Sequence, residues 1–280
     1  MTSETTAKAD GAVLSGVSET ALMTLQVRAN EARRPDSIID DPMAIRLVNS
    51  IDFQWAKFGL SRRQDMAVRA LAFDTETRRY LADHPRATVV ALAEGLQTSF
   101  YRLNAAGVGD EFRWLTVDLP PMIELRRKLL PPSERITMRA QSALDFSWMD
   151  EVPAEDGVFI TAEGLLMYLQ PDEALGLIAA CAQRFGGGRM MFDLPPAWFA
   201  KGITRGMLRP TLRYRVPPMP FSMTPSQLAN LVNEVPGIRA VHDLPMPQGR
   251  GRAFNALVST VQRVRLFDSV RPVNTLLEFG

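Results

Sequence analysis

The sequence predicts an α/β fold: a doubly wound, mostly parallel seven-stranded sheet with N-terminal helices and a lid insertion. Three observations carry that reading. From residue 88 onward, short apolar runs alternate with helical stretches, the order that builds a parallel sheet with crossover helices. The first of those runs, Thr88 to Ala93, is apolar from Val89 on rather than at every second position, as strands covered on both faces are. The chain has 280 residues, 46% of them apolar and 22% charged, which suffices for one large domain or two small ones. The order of elements favours one domain over 15–262.

Residues 1–14 are polar and small and are expected to be flexible. A helical preface follows over 15–84. Leu22, Met23, Leu25, Gln26 and Val27 recur at helical spacing within Thr20 to Asn30. Arg33, Arg34, Pro35 and Asp36 break that helix. Asp40, Asp41 and Pro42 then supply a cap and a proline at the first helical position, opening a helix from Met43 to Val48. A third helix runs from about Ser61 to Asp83, with Met66, Ala70, Phe73, Thr77 and Tyr80 on one stripe.

Thr88 to Ala93 is the first strand, bounded by Pro85 and Gly95, and a short helix follows around Gln97 to Leu103. Phe112 to Val117 is the second strand and ends at Asp118. Pro120 and Pro121 open a helix through Leu130, supported by Glu124 and Lys128 four residues apart. Arg135 to Arg139 and Val158 to Ala162 are further strands. A helix opens at Pro171 with Asp172 and Glu173 in its first turn. It closes with Arg184 before Gly186, Gly187 and Gly188, an arrangement that suits the helix dipole and the glycine cap. Arg189 to Leu194 is the fifth strand. Residues 195–222 are rich in proline, arginine and aromatics and are expected to form a lid. Thr224 and Pro225 start a last helix. Residues 238–244 and 253–261 are expected to form a closing antiparallel pair, leaving 263–280 as a tail.

Composition excludes several classes of function. Lys and Arg total 32 against 31 Asp and Glu, a net charge of +1, without the basic excess of a nucleic-acid domain. Cys181 is the single cysteine, so no intrachain disulfide forms. With only His84 and His242 beside it, no Cys/His zinc site of the usual kind can be assembled, and no metal is expected. Neither a G-x-S-x-G elbow nor a Walker A loop occurs. The longest apolar run, Leu175 to Ala182, is far short of the ~18–20 residues a membrane span needs. The expected location is cytoplasmic. The expected partner is a small molecule, with no nucleic acid and no membrane; a homodimer stays open.

In open α/β sheets ligands bind beyond the carboxyl ends of the strands, near the point where strand order reverses. Those ends carry Glu94 and Gly95, Asp118, Ser142 and Ala143, and Glu163 and Gly164. Asp118 stands 23 residues after Gly95. An acid roughly 20 residues past a glycine turn can accept hydrogen bonds from ribose hydroxyls; the plainer alternative is a cap on the Pro120 helix. A single glycine at the turn does not satisfy G-x-G-x-x-G. That favours a nucleoside cofactor without phosphates over a dinucleotide.

Residues 89–103, Val-Val-Ala-Leu-Ala-Glu-Gly-Leu-Gln-Thr-Ser-Phe-Tyr-Arg-Leu, resemble the VVNLGAGLDTRFYRL stretch of the leucine carboxyl methyltransferase family, which includes bacterial polyketide O- and carboxyl-methyltransferases. Residues 116–120 with 123–128 resemble its next block, and residues 161–169 its AEGLLMYL block. Arg28 to Glu31, Arg34 to Asp36, and Asp41 with Pro42 fit as well. The resemblance spans roughly 15–262, in order.

It implies a class I, Rossmann-like methyltransferase fold and S-adenosylmethionine as cofactor. Arg69 would then hold the methionine carboxylate, which a guanidinium fork suits. Gly95 would let the backbone approach the cofactor. Asp118, with Leu119 beside it, would hold the ribose; Ser142 and Ala143 would line the adenine; Glu163 would face the amino group or the mouth of the site. The family's GAGLDT reads Ala93-Glu94-Gly95-Leu96-Gln97-Thr98 here. Ala93 is tolerable at negative φ but not in a glycine-only conformation. Glu94 has three orientations open to it: away from the cofactor, paired with the cofactor's ammonium or sulfonium, or across the site.

The function expected from this resemblance is methyl transfer to a carboxylate or hydroxyl of a small, polyketide-like molecule. The alternative is a degenerate relative that binds a ligand or partner without transfer. A carboxylate acceptor needs no base, whereas a hydroxyl often does. Candidates for catalytic or pocket roles are Tyr168, Tyr214 and His242. In the lid, Trp198, Phe199, Arg205, Arg209, Tyr214 and Arg215 mix aromatic faces with cations suited to a planar or acidic acceptor.

Overall fold

Along the strand Thr88–Leu92 the side chains alternate between two separate apolar clusters. Val89 and Ala91 join Phe73, Tyr80, Phe100, Trp114 and Phe159, whereas Val90 and Leu92 join Leu22, Leu25, Leu115, Val117 and Ile160. A strand with a core on each side reads as a near-continuous apolar run, and all five of its residues are buried. The computed structural model describes residues 8–59, 63–208, 211, 213–264, 268 and 270–280.

In chain order the elements are β1 (Ala9–Asp10), α1 (Thr20–Ala32), α2 (Pro42–Ser50), β2 (Ile51–Asp52), α3 (Asp65–Asp83), β3 (Thr88–Leu92), α4 (Ser99–Ala105), β4 (Arg113–Asp118), α5 (Pro120–Leu129) and β5 (Ile136–Ala140). They continue with β6 (Val158–Ala162), α6 (Pro171–Arg184), β7 (Arg189–Leu194), α7 (Ala197–Thr204), α8 (Pro225–Glu234), β8 (Ile238–Leu244), α9 (Arg252–Arg263) and β9 (Val273–Phe279).

The main sheet has seven strands in the order β5-β4-β3-β6-β7-β9-β8. The first five are parallel, and β9 runs antiparallel to both β7 and β8. Strand order reverses at β3, whose neighbours are β4 and β6, so the crevice of an open α/β sheet lies above its carboxyl end. The helix starts behave as read: Asp41 caps α2 by accepting from the Ala44 N–H at 2.9 Å, with Pro42 in the first position.

Four expectations need correction. Residues 253–261 are not a strand but the body of α9. Phe254, Val258 and Val261 stand at i, i+4 and i+7, a helical period that outweighs the local β-branched content. The closing strand instead lies within the expected tail, as β9, where both edges are paired and six of its seven residues are buried. Of the stretch expected to be flexible, residues 8–14 are fixed: Ala9 pairs with Ile51, and Ala9 and Leu14 are buried. Residues 195–222, expected to be an irregular or lid segment, contain α7 and bury Tyr214, Val216, Met219 and Phe221. Ser61 and Arg209 lie outside the described residues. Among the described residues no helix is long and apolar enough to cross a membrane.

Candidate active site

A cavity of about 490 Å³ opens at the carboxyl ends of β3, β4, β6 and β7 and at the start of β9. Every expected cofactor residue lines it: Arg69, Glu94, Gly95, Asp118, Leu119, Ser142, Ala143 and Glu163. Tyr168 lines it too; Tyr214 and His242 do not.

The turn after β3 takes two left-handed steps, Ala93 at φ +47° and Gly95 at φ +59°, on either side of Glu94. The first is a glycine-type conformation occupied by alanine, a strain of about 1–2 kcal/mol. At Gly95 a Cβ would stand 3.0 Å from the Ala21 Cβ of α1, so glycine also serves the packing there. Asp118 braces the turn: its Oδ2 accepts from the Gly95 N–H at 2.7 Å and its Oδ1 from the Leu119 N–H at 2.7 Å. Burial pushes the Asp118 carboxyl up, and those two N–H groups and Arg126 oppose the shift.

Glu94 turns one carboxylate oxygen into the protein. Its Oε2 is 2.8 Å from Arg126 Nη2, and the side chains are 4% and 1% exposed. The Thr116 hydroxyl donates to the same oxygen, as does Trp114 Nε1 at 3.3 Å. That oxygen is thus committed to protein partners between β4 and α5, while Oε1 is buried without a hydrogen-bond partner. Arg126 in turn donates to the carbonyls of Gly95 at 2.7 Å and Gln97 at 3.0 Å. The departure at position 94 thereby becomes part of what holds the turn.

On the other side of the turn, α3 presents Arg69. Its Nε donates to Glu163 Oε1 at 2.9 Å and its Nη1 to Asp193 Oδ2 at 3.3 Å. Gln97 Nε2 donates to the same Glu163 oxygen at 2.6 Å, and the Gly164 N–H to Asp193 Oδ1 at 2.7 Å. Burial works against the Arg69 charge, yet Asp193 and Glu163 hold it above the usual arginine range. Burial pushes Glu163 up, and Asp193 adds to this while Arg69 opposes it. Gly164 sits at φ +68°, where a Cβ would fall 3.2 Å from both terminal nitrogens of Arg69.

Beneath this layer is a buried network whose members the sequence places only in family-like blocks or at a helix cap, not as partners of one another. Arg28 donates to Asp41 at 2.6 Å, to Thr98 at 2.9 Å and to the Leu96 carbonyl at 2.7 Å. Arg102 binds Asp74 at 2.6 and 2.9 Å and reaches Asp41 at 2.9 Å. Burial opposes the charge on Asp41, but Arg28 and Arg102 hold its carboxyl below the usual range. The network ties α1, α2 and α3 to the turn. Its one sequence signal was Arg28 itself, a charge among Leu22, Leu25 and Ala29 on the packed stripe of α1. Asp193 and Gln97 were also missed as site residues: Asp193 carries no local pattern, and Gln97 stands in the family-like turn, but its partner Glu163 is 66 residues away.

Two of the three catalytic candidates fall elsewhere. The Tyr214 residue is 2% exposed, stacked edge-on against Phe58 at 4.8 Å, and its hydroxyl has no hydrogen-bond partner. It belongs to the packing of the lid. His242 is on edge strand β8, with its side chain 48% exposed and Nε2 3.6 Å from Glu278. Burial pushes the Tyr168 hydroxyl up to about 12, with nearby Arg69 opposing. In the lid, Phe199 lines the cavity, while Arg205 and Arg215 are exposed and do not. Trp198 is 53% exposed and donates to the Val270 carbonyl at 3.2 Å.

The family model described as leucine carboxyl methyltransferase matches residues 21–182. The chain belongs to the leucine carboxyl methyltransferase family. The matched stretch contains the turn, Arg69, Asp118 and Glu163, the residues that surround one side of the cavity. Among the relatives of this methyltransferase, the tetracenomycin polyketide synthesis O-methyltransferase TcmP of Streptomyces glaucescens is 34% identical over 194 residues, 67% of this chain and 70% of that protein. The S-adenosyl-L-methionine-dependent methyltransferase dpfgK of Gibberella zeae is 30% identical over 202 residues, covering 65% and 67% of the two chains. In fold, the methyltransferase is similar to a candidate methyltransferase from Thermobifida fusca, with a TM-score of 0.56 and 15% identity over 91% of this chain and 94% of that one. It is also similar to the CurJ carbon methyltransferase, with a TM-score of 0.53 and 10% identity over 94% and 68%.

Proposed function

We propose that this methyltransferase carries the methyl group of S-adenosylmethionine to an oxygen, carboxylate or hydroxyl, of a largely apolar small molecule. The observation that carries the reading is the division of the cavity. Buried charged groups and a braced turn stand at the ends of β3, β4 and β6, and Phe199, Val216, Met219 and Met246 line it from the segments after β7 and β8.

The residues present fit the cofactor. Side chains at Gly95 and Gly164 would fill the cradle, and the donor set matches the two ends of the molecule. Arg69, oriented by Glu163 and Asp193, would take the methionine carboxylate, and Glu163 the ammonium group. Asp118 keeps lone pairs beyond its two N–H bonds, which suits it to the ribose hydroxyls. Leu119, Ser142 and Ala143 would enclose the adenine.

The cofactor supplies a methyl group already activated by the sulfonium, so the protein's work is to orient and to exclude water. Alignment of that kind lowers a barrier by ~7–11 kcal/mol. The methyl–sulfur bond breaks as the methyl–oxygen bond forms, and the electron pair stays on sulfur. An acceptor carboxylate brings no proton to move. A hydroxyl does, and Asp193 is a cavity carboxylate that would take it.

Incubation with methyl-labelled S-adenosylmethionine and a panel of aromatic acids and phenols tests the reading. Labelled product that survives alkali is an ether, and product cleaved by alkali is an ester. Failure of S-adenosylhomocysteine to bind by calorimetry at millimolar concentration would sink it.

A further inference from the structure

Asn274 has a buried side-chain amide whose nitrogen, Nδ2, has no hydrogen-bond partner. The residue is 5% exposed and lines the cavity. Its place is set by β9. Asn274 is directly opposite Asp193 in the antiparallel pairing of β9 with β7, so both side chains leave the sheet on the same face, with Cβ atoms about 4.5–5.5 Å apart. Asp193 is already engaged with the Gly164 N–H and with Arg69. The Asn274 amide is not.

Folded proteins seldom leave a buried donor without an acceptor, and an unpartnered amide donor at a cavity wall calls for an occupant that completes it. The sheet order says which occupant. The cofactor groups proposed above follow β5, β4, β3 and β6, whereas Asn274 is on β9, two strands beyond β6, roughly 10 Å further along the sheet. That is the side of the cavity left for the acceptor.

Charge narrows the acceptor's chemistry. Asp118, Glu163 and Asp193 line the cavity. Its two lining arginines are already shared with acids, Arg63 with Asp65 and Arg69 with Glu163 and Asp193. With Asp118 and Glu163 given over to the cofactor, an incoming carboxylate would still meet Asp193, directly opposite Asn274, and like charges in a cleft repel. A neutral amide donor instead suits a neutral oxygen.

We infer that Asn274 is the specificity-determining residue for the acceptor: its Nδ2 donates to the oxygen of a neutral hydroxyl carried on an apolar body. The inference rests on the proposed function and sharpens its choice between carboxylate and hydroxyl.

The test uses the full chain saturated with S-adenosylhomocysteine and two probes that share one apolar body, 1-naphthol and 1-naphthoate, with binding read by calorimetry at pH 7. The expected result is tighter binding of 1-naphthol than of 1-naphthoate. Asn274→Leu, which keeps the volume and removes the donor, is expected to weaken 1-naphthol about five- to tenfold. Asn274→Ser, which keeps a smaller donor, should lie between, and it carries the test if the leucine variant does not fold. S-adenosylhomocysteine affinity should stay within about twofold in both, which also reports that they are folded. Tighter binding of 1-naphthoate, no binding of 1-naphthol, or 1-naphthol affinity indifferent to position 274 each overturn the inference while leaving the cofactor reading standing. An equal fall in S-adenosylhomocysteine affinity overturns it too, because the amide then serves the cofactor. Failure of the unmodified protein to bind S-adenosylhomocysteine removes the cofactor reading and this inference together.

Discussion

Glu94 and Arg126 meet at 2.8 Å in an interface closed to solvent, and the same guanidinium holds the carbonyls of Gly95 and Gln97. A carboxylate placed in a cofactor turn is thereby turned into a brace for that turn. Breaking one side of a buried pair strands the other charge, at about 3–5 kcal/mol, whereas replacing both partners by apolar groups is often near neutral. Arg126→Met should therefore lower stability by about 3–5 kcal/mol in urea unfolding, and Glu94→Ala with Arg126→Met should recover most of it. A double variant as unstable as the single one would contradict the pairing.

Ala93 at φ +47° is the second test. Glycine relieves the left-handed strain but gains entropy in the unfolded chain, so the net gain is about 0.5–1 kcal/mol. Ala93→Gly should raise the thermal midpoint by about 1–4 °C. A lowered midpoint would show that alanine is not strained there.

Stability should depend on pH in a stated sense. Asp118 and Glu163 are pushed above their usual values of 3.8 and 4.5 in the folded protein. The folded state then holds protons that the unfolded chain has released, and stability falls as pH rises. The contribution is complete below the unfolded values and is lost as pH climbs through the folded ones. Asp41 acts oppositely and lower: its carboxyl is depressed, so its contribution is present above 3.8 and lost as pH falls through the folded value. Thermal melts from pH 4 upward should show the first slope, and Glu163→Gln should flatten it.

His242→Ala should leave S-adenosylhomocysteine affinity and methyl transfer unchanged, since the ring is on the exposed edge strand. Tyr214→Phe should be neutral or slightly stabilising, because it removes a buried hydroxyl that has no partner. A loss of transfer in either variant, with folding intact, would return that residue to the site.

Gly164→Ala places a methyl 3.2 Å from the Arg69 guanidinium and forces a left-handed alanine. It should weaken S-adenosylhomocysteine about tenfold or more. Unchanged affinity would argue that Arg69 is not part of the cofactor cradle.

The fold was legible where local pattern and tertiary role coincide. Val89 and Val90 are both apolar because β3 has a core on each face, and Asp41 with Pro42 is the cap and first residue of α2. Gly95, Asp118 and Glu163 could be placed because strand ends converge at a switch point. What was not legible depends on partners distant in sequence. Nothing near Glu94 announces Arg126, and nothing near Asn274 announces Asp193. Phe254, Val258 and Val261 did carry a helical period, but β-branched neighbours masked it, and the closing strand was placed one segment too early.

That strand has a consequence for how the molecule is made. β9 is later in the chain than β8 yet wedges between β8 and β7. During synthesis the β7 edge is exposed before its partner exists, and β8 has no neighbour to join until the segment beyond α9 arrives. Long-range pairing of this kind is slow to form and leaves an adhesive edge in the meantime. Assembly of the cavity wall that carries Asn274 therefore waits on β9, and a nascent chain stalled before β9 should be the form of this protein most in need of a chaperone.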